Sequence, residues 1–472
     1  MTKLKTDLLI IGAGSGGLSV AAGAVQMGAS VILLEGHKMG GDCLNFGCVP
    51  SKALIASGKA AYAQSHASVY GVADVTPKVD YAAIKDHVAD VIEQIKPVDS
   101  QERFEAMGVR VIREYGHFIS PKEVQAGEFV ITARRIVIAT GSSPLVPPIP
   151  GLENVPYETN ETIFELRDKP GHLLVIGGGP IGMEMAQAHR RLGCEVTVIE
   201  GLKALGNDDP EMAAVVLERF AAEGIEIAED AMAAEIRGKL GAIEVEAKDG
   251  RVFKGTHLLM AVGRAANIDK LDTEKAGIET TRRGIKVDAG MRSTNRRVYA
   301  IGDVAGGLQF THMAGYHAGL IIRSALLGLP AKERTSHIPW ATYTDPELAH
   351  VGLTEEGARK EHGGNLEVVR FPYSHNDRAI AERKTEGLIK VMVVRGRPVG
   401  ASIAGAQAGE LINLWAFILA NNLKMKHVAN MVAPYPTLGE INKRVAGAYF
   451  SPKLFDSPMV KRVVRFVQGW LP

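Results

Sequence analysis

The sequence predicts an α/β fold with two doubly wound dinucleotide-binding domains, because one pattern of strand, glycine turn, helix and strand occurs twice. The strand DLLII leads into GAGSGG at 7–17, and the strand LLVI leads into GGGPIG at 173–182. In each copy an acid ends the second strand 23 residues after the first glycine, at Glu35 and at Glu200. Two copies with matching spacing are much more specific than a single glycine-rich turn.

Each glycine has its own task in such a turn. The first permits the tight turn, the second lets a pyrophosphate approach the backbone, and the third lets the helix pack on the strand. These residues are Gly12, Gly14 and Gly17 in the first copy and Gly177, Gly179 and Gly182 in the second. Because the helix that follows presents its positive end to phosphates, we expect two bound dinucleotides, a flavin and a nicotinamide.

The acid that closes the second copy favours NAD(H) over NADP(H). Glu200 can accept hydrogen bonds from the adenine ribose hydroxyls, and it would repel the 2′-phosphate of NADP. Lys203 is close enough in sequence to soften this preference. We therefore expect NADH as the donor, with NADPH as the weaker alternative.

Composition excludes several classes of protein. Hydrophobic residues make up 46% and charged residues 23% of the chain, and 54 basic against 53 acidic residues leave a net charge of +1. We therefore expect no nucleic-acid partner. Three cysteines are too few for a disulfide-stapled secreted scaffold, and no uncharged apolar run reaches the roughly 18 residues of a membrane helix. With no signal-peptide cleavage region, these features favour a cytoplasmic protein.

Cys43 and Cys48 form a candidate redox pair in the segment GGDCLNFGCVPSK. Positions five apart in a regular helix rise about 7.5 Å, too far for a disulfide, so a bond requires irregular backbone, which Asn45 and Gly47 can supply. Pro50 suits a first helical turn, which would place Cys48 near a helix N-terminus, where a thiolate is stabilised. Lys52 adds a cation nearby. Cys194 has no such neighbours, and we interpret it as structural.

The cysteine motif resembles that of the class I flavoprotein disulfide reductases, also called pyridine nucleotide-disulfide oxidoreductases. This family includes dihydrolipoamide dehydrogenase, glutathione reductase and mercuric reductase. The resemblance continues through ATG at 139–141, AVGRAANI at 261–268, STNRRVYAIGD at 293–303 and YTDPELAHVGLTEEGA at 343–358. It implies FAD and NAD(H) as cofactors, and a homodimer whose active site is shared between subunits.

The resemblance also implies a domain order of two Rossmann-type domains and a C-terminal α+β dimerisation domain. The FAD-binding domain would cover 1–148 and 269–335, with the NAD-binding domain inserted at 149–268. The dimerisation domain would cover 336–472, including an amphipathic tail at 458–471. Besides the motif glycines, the cofactor-binding residues would be Glu35, Gly41, Lys52, Thr140, Gly141 and Asp303 for FAD, with Glu200 and Gly263 for NAD.

The family mechanism gives each cysteine a separate role when it is carried onto this sequence. Cys48 would be the flavin-proximal, charge-transfer thiolate, and Cys43 would be the interchange thiol that meets the acceptor. Lys52 would lie near flavin N5 and pair with Glu184, because a buried lysine without a partner is costly. An exposed Glu184 with no such partner is the alternative.

Near the C-terminus the sequence departs from the family pattern. The thiol reductases carry His-Pro-Thr-x-x-Glu, in which the histidine moves protons to and from the interchange thiol. Here the segment runs from Tyr435 to Glu440 as YPTLGE. A phenol with a pKa of about 10 is a poor base near neutrality, whereas imidazole at about 6.5 is well matched, so disulfide exchange should suffer.

A tyrosine at this position resembles the corresponding segment of mercuric reductase. The substrate of that enzyme is a soft metal ion, which thiolates bind. The C-terminal cysteine pair and the N-terminal metal-binding module of that enzyme are missing here. Cys43 and Cys48 therefore remain as the candidate soft ligands, and we predict no resident metal site.

Asp42 is a second departure, because it stands where thiol reductases usually have threonine beside the flavin phosphates. Its carboxylate must point away or find a donor. His312, in FTHMAGYHA, follows the flavin aspartate closely enough for an approach to the active site to be the alternative, but we favour a structural histidine.

Three functions follow, of which the first is the leading interpretation. It is an NADH-dependent FAD disulfide oxidoreductase of mercuric-reductase-like type, passing electrons to a metal ion or another small, non-lipoyl acceptor. Dihydrolipoamide dehydrogenase is the first alternative, favoured by Glu200 and overall similarity and opposed by Tyr435. The second is an electron donor to a protein or quinone at a membrane surface, docked by the tail. There Lys461, Arg462 and Arg465 fall between apolar positions at helical spacing. Packing of the tail on its own subunit or on the dimer mate is the more ordinary interpretation.

Overall fold

The N-terminal strand crosses the middle of a large sheet and stops at the first glycine turn. In the computed structural model, which describes residues 1–471, this strand is buried on both faces from Leu8 to Ile10, as is usual for central parallel strands. The elements of the first region are β1 (Thr2–Ile11), α1 (Ser15–Gln26), β2 (Val31–Leu34), α2 (Gly41–Asn45), α3 (Cys48–Ser65), α4 (Tyr81–Ile95), α5 (Gln101–Ala106), β3 (Arg110–Ile112), β4 (Gly116–Ser120), β5 (Glu123–Ala126), β6 (Phe129–Ile138) and β7 (Ser142–Pro144).

The first sheet has the strand order β3-β2-β1-β6-β5-β4. Strand β1 pairs in parallel with both β2 and β6, while β5 pairs antiparallel with β4 and β6. Apolar side chains cover both faces of this sheet. The glycine turn after β1 therefore lies at the carboxyl edge of the sheet, where doubly wound folds bind their ligands.

The second glycine turn belongs to a second parallel sheet. The elements of this region are β8 (His172–Ile176), α6 (Pro180–Arg191), β9 (Glu195–Ile199), α7 (Pro210–Ala222), β10 (Glu226–Ala228), β11 (Ala233–Lys239), β12 (Ala242–Ala247), β13 (Val252–Gly255), β14 (His257–Met260) and β15 (Arg264–Ala266). Strand β8 pairs in parallel with β9 and β14, while β11, β12 and β13 form an antiparallel sheet. Strand β15 pairs antiparallel with β7, so the chain enters and leaves this region through a two-stranded ribbon, here called the crossing ribbon.

After the crossing ribbon the chain returns to the first sheet. The next elements are β16 (Thr280–Thr281), β17 (Gly284–Ile285), β18 (Val298–Ala300) and α8 (Thr311–Ile321). Strand β18 pairs in parallel with β6 and becomes the seventh strand of the first sheet. The segment that follows β18 is thereby brought to the same edge of the sheet as the first glycine turn.

The C-terminal region is built on an antiparallel sheet in the order β19-β20-β23-β22-β21. Its elements are β19 (Pro339–Thr342), β20 (Glu347–Gly352), α9 (Glu355–His362), β21 (Leu366–Pro372), α10 (Asp377–Ala381), β22 (Leu388–Val394), β23 (Arg397–Gly405), α11 (Ala408–Ala420), α12 (Met425–Ala429), α13 (Glu440–Phe455) and α14 (Pro458–Gln468). The fully buried Trp415 anchors its core, and its indole N–H donates to Asn442 Oδ1 at 2.7 Å.

The chain folds into two compact units, each assembled from separate stretches of sequence. One contains Met1–His66, Asp74–Gly201 and Ala228–Glu333, and the other contains Ala67–Ala73, Leu202–Ile227 and the chain from Arg334 onward. The predicted fold class, two nucleotide-binding regions with a C-terminal α+β region, is confirmed. The domain bounds inferred from the sequence (1–148 with 269–335, 149–268, and 336–472) stay a prediction.

The amphipathic tail predicted at 458–471 forms helix α14. Ser457 caps its N-terminus, where the hydroxyl oxygen accepts the N–H of Val460 at 3.3 Å. None of the residues of α14 is buried in the described chain, and Met459 and Phe466 are among the exposed apolar side chains of this helix. In residues 1–471 no helix has both the length and the apolar character needed to span a membrane.

Candidate active site

The two glycine turns have the same backbone geometry. The first glycine of each has a positive φ, +107° at Gly12 and +113° at Gly177. A Cβ at these positions would lie 2.4 Å from the carbonyl oxygen of Ala139 and 2.3 Å from that of Ala261, respectively. In both copies only glycine fits between the turn and the neighbouring strand end, as the sequence pattern predicts.

The third glycine of each turn, Gly17 or Gly182, lies against the first glycine of its own copy. A Cβ there would approach that carbonyl oxygen to 1.9 Å and 2.0 Å, respectively. The second glycines, Gly14 and Gly179, are the N-caps of α1 and α6, and no side chain caps either helix. Within residues 1–471, chain neighbours aside, no heavy atom lies within 4 Å of a Cβ built at Gly179. A Cβ at Gly14 meets only the α-carbon of Gly41 among these residues, at 3.9 Å. Uncapped N–H groups facing open space fit the pyrophosphates of FAD and NAD.

The acid that closes each copy bonds to the middle of its own turn. Glu35 Oε2 accepts the N–H of Ala13 at 2.8 Å, and its Oε1 accepts the N–H of His37 at 2.7 Å. Glu200 Oε2 accepts the N–H of Gly178 at 2.7 Å. Both carboxylates are therefore held beside the turn, at the position from which an acid contacts an adenine ribose.

Three of the predicted cofactor residues flank the crossing ribbon. Gly141 and Gly263 have φ values of +66° and +126°, and a Cβ on either would meet no heavy atom within 4 Å in the part of the chain that the structure describes, chain neighbours aside. The hydroxyl of Thr140 donates to the carbonyl oxygen of Asn267 at 2.7 Å, which ties the two strand ends together. The backbone at these positions is open, and this leaves space for a cofactor.

Asp303, predicted to bind the ribityl chain, lies in a polar cluster at the end of β18. The hydroxyl of Ser142 donates to Asp303 Oδ2 at 2.5 Å, and Arg264 Nε lies 3.9 Å from the same oxygen. Burial raises the pKa of Asp303, while the Ser142 hydrogen bond and the Arg264 charge oppose that rise. The buried His317 accepts the N–H of Gly302 at 3.1 Å and so fixes the preceding backbone.

The cysteines stand on two helices separated by irregular backbone. Cys43 lies in α2, which ends at Asn45, and Cys48 is the first residue of α3. This break in helical geometry brings the two sulfurs within hydrogen-bonding reach of each other. Both residues are thiols in this structure, with Cys43 half-buried and Cys48 exposed.

The surroundings of the pair favour negative charge on Cys48. Its pKa is lowered to about 6, first by the hydrogen bond from Cys43, then by Thr311 and by the charge of Lys52, against the opposing effect of burial. The hydrogen bond to Cys48, together with burial, raises the pKa of Cys43. Thr311 Oγ1 lies 3.3 Å from Cys48 Sγ. The sequence reasoning missed Thr311, although this residue directly precedes His312.

Lys52 and Glu184 meet as an ion pair between α3 and α6. Lys52 Nζ lies 2.8 Å from Glu184 Oε2, and the side chains are 38% and 7% exposed, respectively. The nearly buried carboxylate thus has a cationic partner, which avoids the cost of an isolated buried charge. The predicted pairing of Lys52 with Glu184 is present, while the place of Lys52 beside flavin N5 and the catalytic role of both residues stay predictions.

The carboxylate of Asp42 finds donors from two other segments. Arg264 Nη2 lies 2.9 Å from Asp42 Oδ1, and Asn160 Nδ2 donates to the same oxygen at 3.1 Å. The sequence reasoning missed both partners. Arg264 could have been identified from the sequence, because it directly follows Gly263 in the AVGR motif. No local sequence pattern indicates Asn160.

Two residues interpreted as structural have ordinary surroundings. The ring of His312 stacks on Phe310, with centroids 5.2 Å apart. Cys194 is fully buried, and this burial raises the pKa of its thiol to about 11. A buried thiol that resists ionisation is a poor nucleophile or soft ligand.

The C-terminal segment holds Tyr435 in a different setting from the cysteines. Its side chain is 68% exposed, and the phenol donates to Asp377 Oδ2 at 3.0 Å, which raises the pKa of Tyr435. Glu440 lies 3.3 Å from Arg444, one turn along α13. Asp377 is therefore the hydrogen-bond partner of the phenol in this chain, and the sequence reasoning had not included it.

Two protein-family models together match most of the chain. The model described as pyridine nucleotide-disulphide oxidoreductase matches residues 6–318, and that of its dimerisation domain matches 338–446. The chain belongs to this family. Members of the pyridine nucleotide-disulphide oxidoreductases bind FAD and NAD(P)H, in agreement with the open glycine turns described above. The match to the dimerisation domain supports a homodimer.

Curated relatives of this oxidoreductase fall into two groups. It is 33% identical over 441 residues to mercuric reductase of Bacillus cereus, covering 92% of this chain and 70% of that one. It is also 33% identical over 456 residues to dihydrolipoyl dehydrogenase of Bacillus subtilis, covering 94% and 96%. The chain is thus about equally similar to both groups.

Solved structures give the same family at lower identity. A Cu(II) complex of the HOCl-induced flavoprotein disulfide reductase RclA from Escherichia coli matches with a TM-score of 0.85 and 27% identity, covering 94% of this chain and 99% of that one. LpdA from Mycobacterium tuberculosis matches with a TM-score of 0.85 and 26% identity, covering 95% and 99%. The chain is thus a disulfide oxidoreductase of the mercuric reductase and lipoamide dehydrogenase family.

Proposed function

We propose that this oxidoreductase uses NADH and FAD to reduce a soft metal ion, or another small non-lipoyl acceptor, through Cys43 and Cys48. The observation that carries this proposal is the contrast between the acidic Cys48 thiol and Tyr435, whose pKa is raised. Cys48 offers a thiolate near neutral pH, whereas Tyr435 offers no base of matching pKa. A soft metal ion needs thiolate ligands, whereas exchange with a disulfide substrate needs a proton carrier.

The residues of the chain have distinct tasks in such a reaction. Bound FAD would carry electrons from the nicotinamide to the cysteine site. The thiolates of Cys43 and Cys48 would ligate the metal, while Thr311 and Lys52 stabilise the negative charge on Cys48. In one turnover NADH becomes NAD⁺ and H⁺, and its two electrons convert one Hg(II) to Hg(0) or two Cu(II) to two Cu(I).

The relatives provide independent support for a metal acceptor. Mercuric reductases are among the curated relatives, and a solved structural neighbour is a Cu(II) complex of a disulfide reductase. Neither comparison identifies the acceptor of this chain. The features of this chain itself that favour a metal acceptor are the cysteine pair and Tyr435.

An acceptor panel tests the proposal. The holoenzyme would be supplied anaerobically with NADH and with Hg(II), Cu(II), lipoamide, glutathione disulfide or a quinone, and NADH oxidation would be followed. We expect a metal ion to be the fastest acceptor and Cys43→Ser to abolish that activity. Rapid turnover of lipoamide would overturn the proposal and establish dihydrolipoamide dehydrogenase, which relatives of nearly full-length coverage favour.

We also propose that NADH is preferred to NADPH. Glu200 is held against the second glycine turn by Gly178, at the position where a carboxylate repels a 2′-phosphate. Measurement of kcat/KM for both donors checks this preference, with Glu200→Gln as the charge-neutral control. The natural enzyme should have the higher kcat/KM with NADH. In Glu200→Gln the ratio of kcat/KM for NADH to that for NADPH should be smaller. An equal or reversed preference in the natural enzyme would show that a cation such as Lys203 governs the pocket.

An electron donor at a membrane surface is the second candidate function, favoured by helix α14. Met459, Phe466 and Trp470 are exposed on one side of this segment, and Lys461, Arg462 and Arg465 lie between the apolar positions. Such a helix can lie in the surface of an anionic bilayer. Co-sedimentation with anionic and neutral vesicles tests this, comparing the full chain with one that ends at Asp456. Anionic-specific binding that needs α14 would support it, and equal pelleting of both chains would refute it.

A further inference from the structure

A carboxylate lies inside the loop that joins the two cysteines. Asp42 directly precedes Cys43, and a Cβ built on Gly47 would lie 2.7 Å from Asp42 Oδ2. Gly47 is in turn the N-cap of the helix that begins with Cys48. The negative charge of Asp42 therefore lies beside the loop that carries both thiols.

Asn160 joins the two halves of this loop. Its side-chain amide donates to Asp42 Oδ1 at 3.1 Å and to the carbonyl oxygen of Phe46 at 3.2 Å. The residue is buried, with 7% exposure, so these bonds are shielded from water. One amide group thus holds the loop at positions before and after Cys43.

Arg264 occupies the centre of the network. Its guanidinium lies 2.9 Å from Asp42 Oδ1 and donates to both the hydroxyl and the carbonyl oxygen of Ser142 at 2.7 Å. A longer bond of 3.4 Å reaches Asn160 Oδ1. The side chain is only 11% exposed, and Arg264 and Ser142 are the first residues of the two strands of the crossing ribbon. A planar guanidinium has several N–H donors in a fixed geometry and can make these contacts simultaneously. A lysine ammonium group cannot reproduce that arrangement.

We propose that Arg264 is a positioning residue that pins the cysteine loop to the crossing ribbon through Asp42 and neutralises the charge of Asp42 beside the two thiols. The same guanidinium fixes Ser142, which donates to Asp303, so one side chain orients groups on the cysteine side and on the flavin side. This inference rests on the proposed function only in taking Cys43 and Cys48 as the redox centre. It does not depend on the acceptor.

The expected size of the effect follows from the electrostatics. Removal of the guanidinium would leave the Asp42 carboxylate uncompensated next to the pair and disfavour the Cys48 thiolate. A nearby charge of this kind typically shifts a pKa by one unit or more, so we expect on the order of tenfold less thiolate at a given acidic pH. Removal of the carboxylate should have the opposite effect.

The test is the pH dependence of the thiolate in the two-electron-reduced holoenzyme, followed by its long-wavelength charge-transfer band. A second readout is the rate of iodoacetamide alkylation of each cysteine, assigned by peptide mass. Arg264→Gln should move the midpoint of thiolate formation to higher pH by about one unit. Arg264→Lys should cause a smaller rise, because it keeps the positive charge. Asp42→Asn should lower the midpoint, and Asp42→Asn with Arg264→Gln should resemble Asp42→Asn alone.

The double variant decides between coupling and an independent effect. If Arg264→Gln shifts the midpoint equally with and without the Asp42 carboxylate, the proposal is wrong. If Arg264→Gln fails to fold or to retain flavin, Asp42→Asn decides instead, and an unchanged midpoint there overturns the proposal. Because these readouts need no acceptor, they separate the failure of this inference from the failure of the metal-reductase proposal.

Discussion

The cysteine loop and the C-terminal tyrosine segment each present a weak acid, and their surroundings act in opposite directions. The hydrogen bond from Cys43, together with Thr311 and Lys52, stabilises the anion of Cys48 and lowers its pKa to about 6. Asp377 accepts a hydrogen bond from the Tyr435 phenol and raises the pKa of that group. The first region is therefore arranged for a charged side chain and the second for a neutral one.

The contrast shows which chemistry each region can support. A thiolate near neutral pH can attack a disulfide or ligate a soft metal ion. A phenol whose proton is held by a carboxylate can donate a hydrogen bond, but it is a poor general base near neutrality. Serine substitutions of the cysteines, replacement of Tyr435 and replacement of Thr311 test this contrast, in descending order of expected effect.

The largest effect should come from the cysteines themselves. Two-electron reduction of the natural holoenzyme should produce a long-wavelength thiolate-to-flavin band, and Cys48→Ser should abolish it. Cys43→Ser should show a band even when oxidised, because Cys48 is then free of its disulfide partner and ionises readily. Absorbance spectra during anaerobic titration measure both. Bands that respond the other way round would show that the roles of the two thiols are exchanged.

The sequence predicted the parts of this contrast that depend on local pattern. The glycine turns, the break between α2 and α3 and the position of Cys48 at a helix start all follow from residues close together in the chain. The Lys52–Glu184 pair, 132 residues apart, was predicted because both residues lie in recognisable motifs.

The sequence could not predict the partners that only tertiary structure brings together. Thr311 reaches Cys48 across 263 residues, Asn160 reaches Asp42 across 118, and Asp377 reaches Tyr435 across 58. None of these partners has a periodic or spacing signal of its own. In each case the sequence identified the titratable group, and the fold supplied a hydrogen-bonding neighbour from a distant part of the chain.

Replacement of the phenol should have the next largest effect. General-base catalysis typically contributes about 10²–10⁴-fold, so the natural enzyme should oxidise dihydrolipoamide slowly by a comparable factor. Tyr435→His should recover part of this deficit, while Tyr435→Phe, the matched control, should not. Initial rates with dihydrolipoamide and NAD⁺ check this, alongside metal-dependent NADH oxidation, which should fall or stay level in Tyr435→His. If both variants change only the thermal stability, Tyr435 has a packing role at the dimer interface.

The smallest effect should come from Thr311, whose hydroxyl is one of several groups that stabilise the Cys48 thiolate. Because the pKa of Cys48 is lowered to about 6, the charge-transfer band of the reduced enzyme should grow as the pH rises through that value and should fade below it. Thr311→Val removes the hydroxyl at nearly constant volume, so the midpoint should rise, by about one pH unit for a lost hydrogen bond to a charged group. Thr311→Ser keeps the hydroxyl and should leave the midpoint near its natural value. A midpoint that stays fixed in Thr311→Val would mean that Cys43 and Lys52 alone determine the acidity of Cys48.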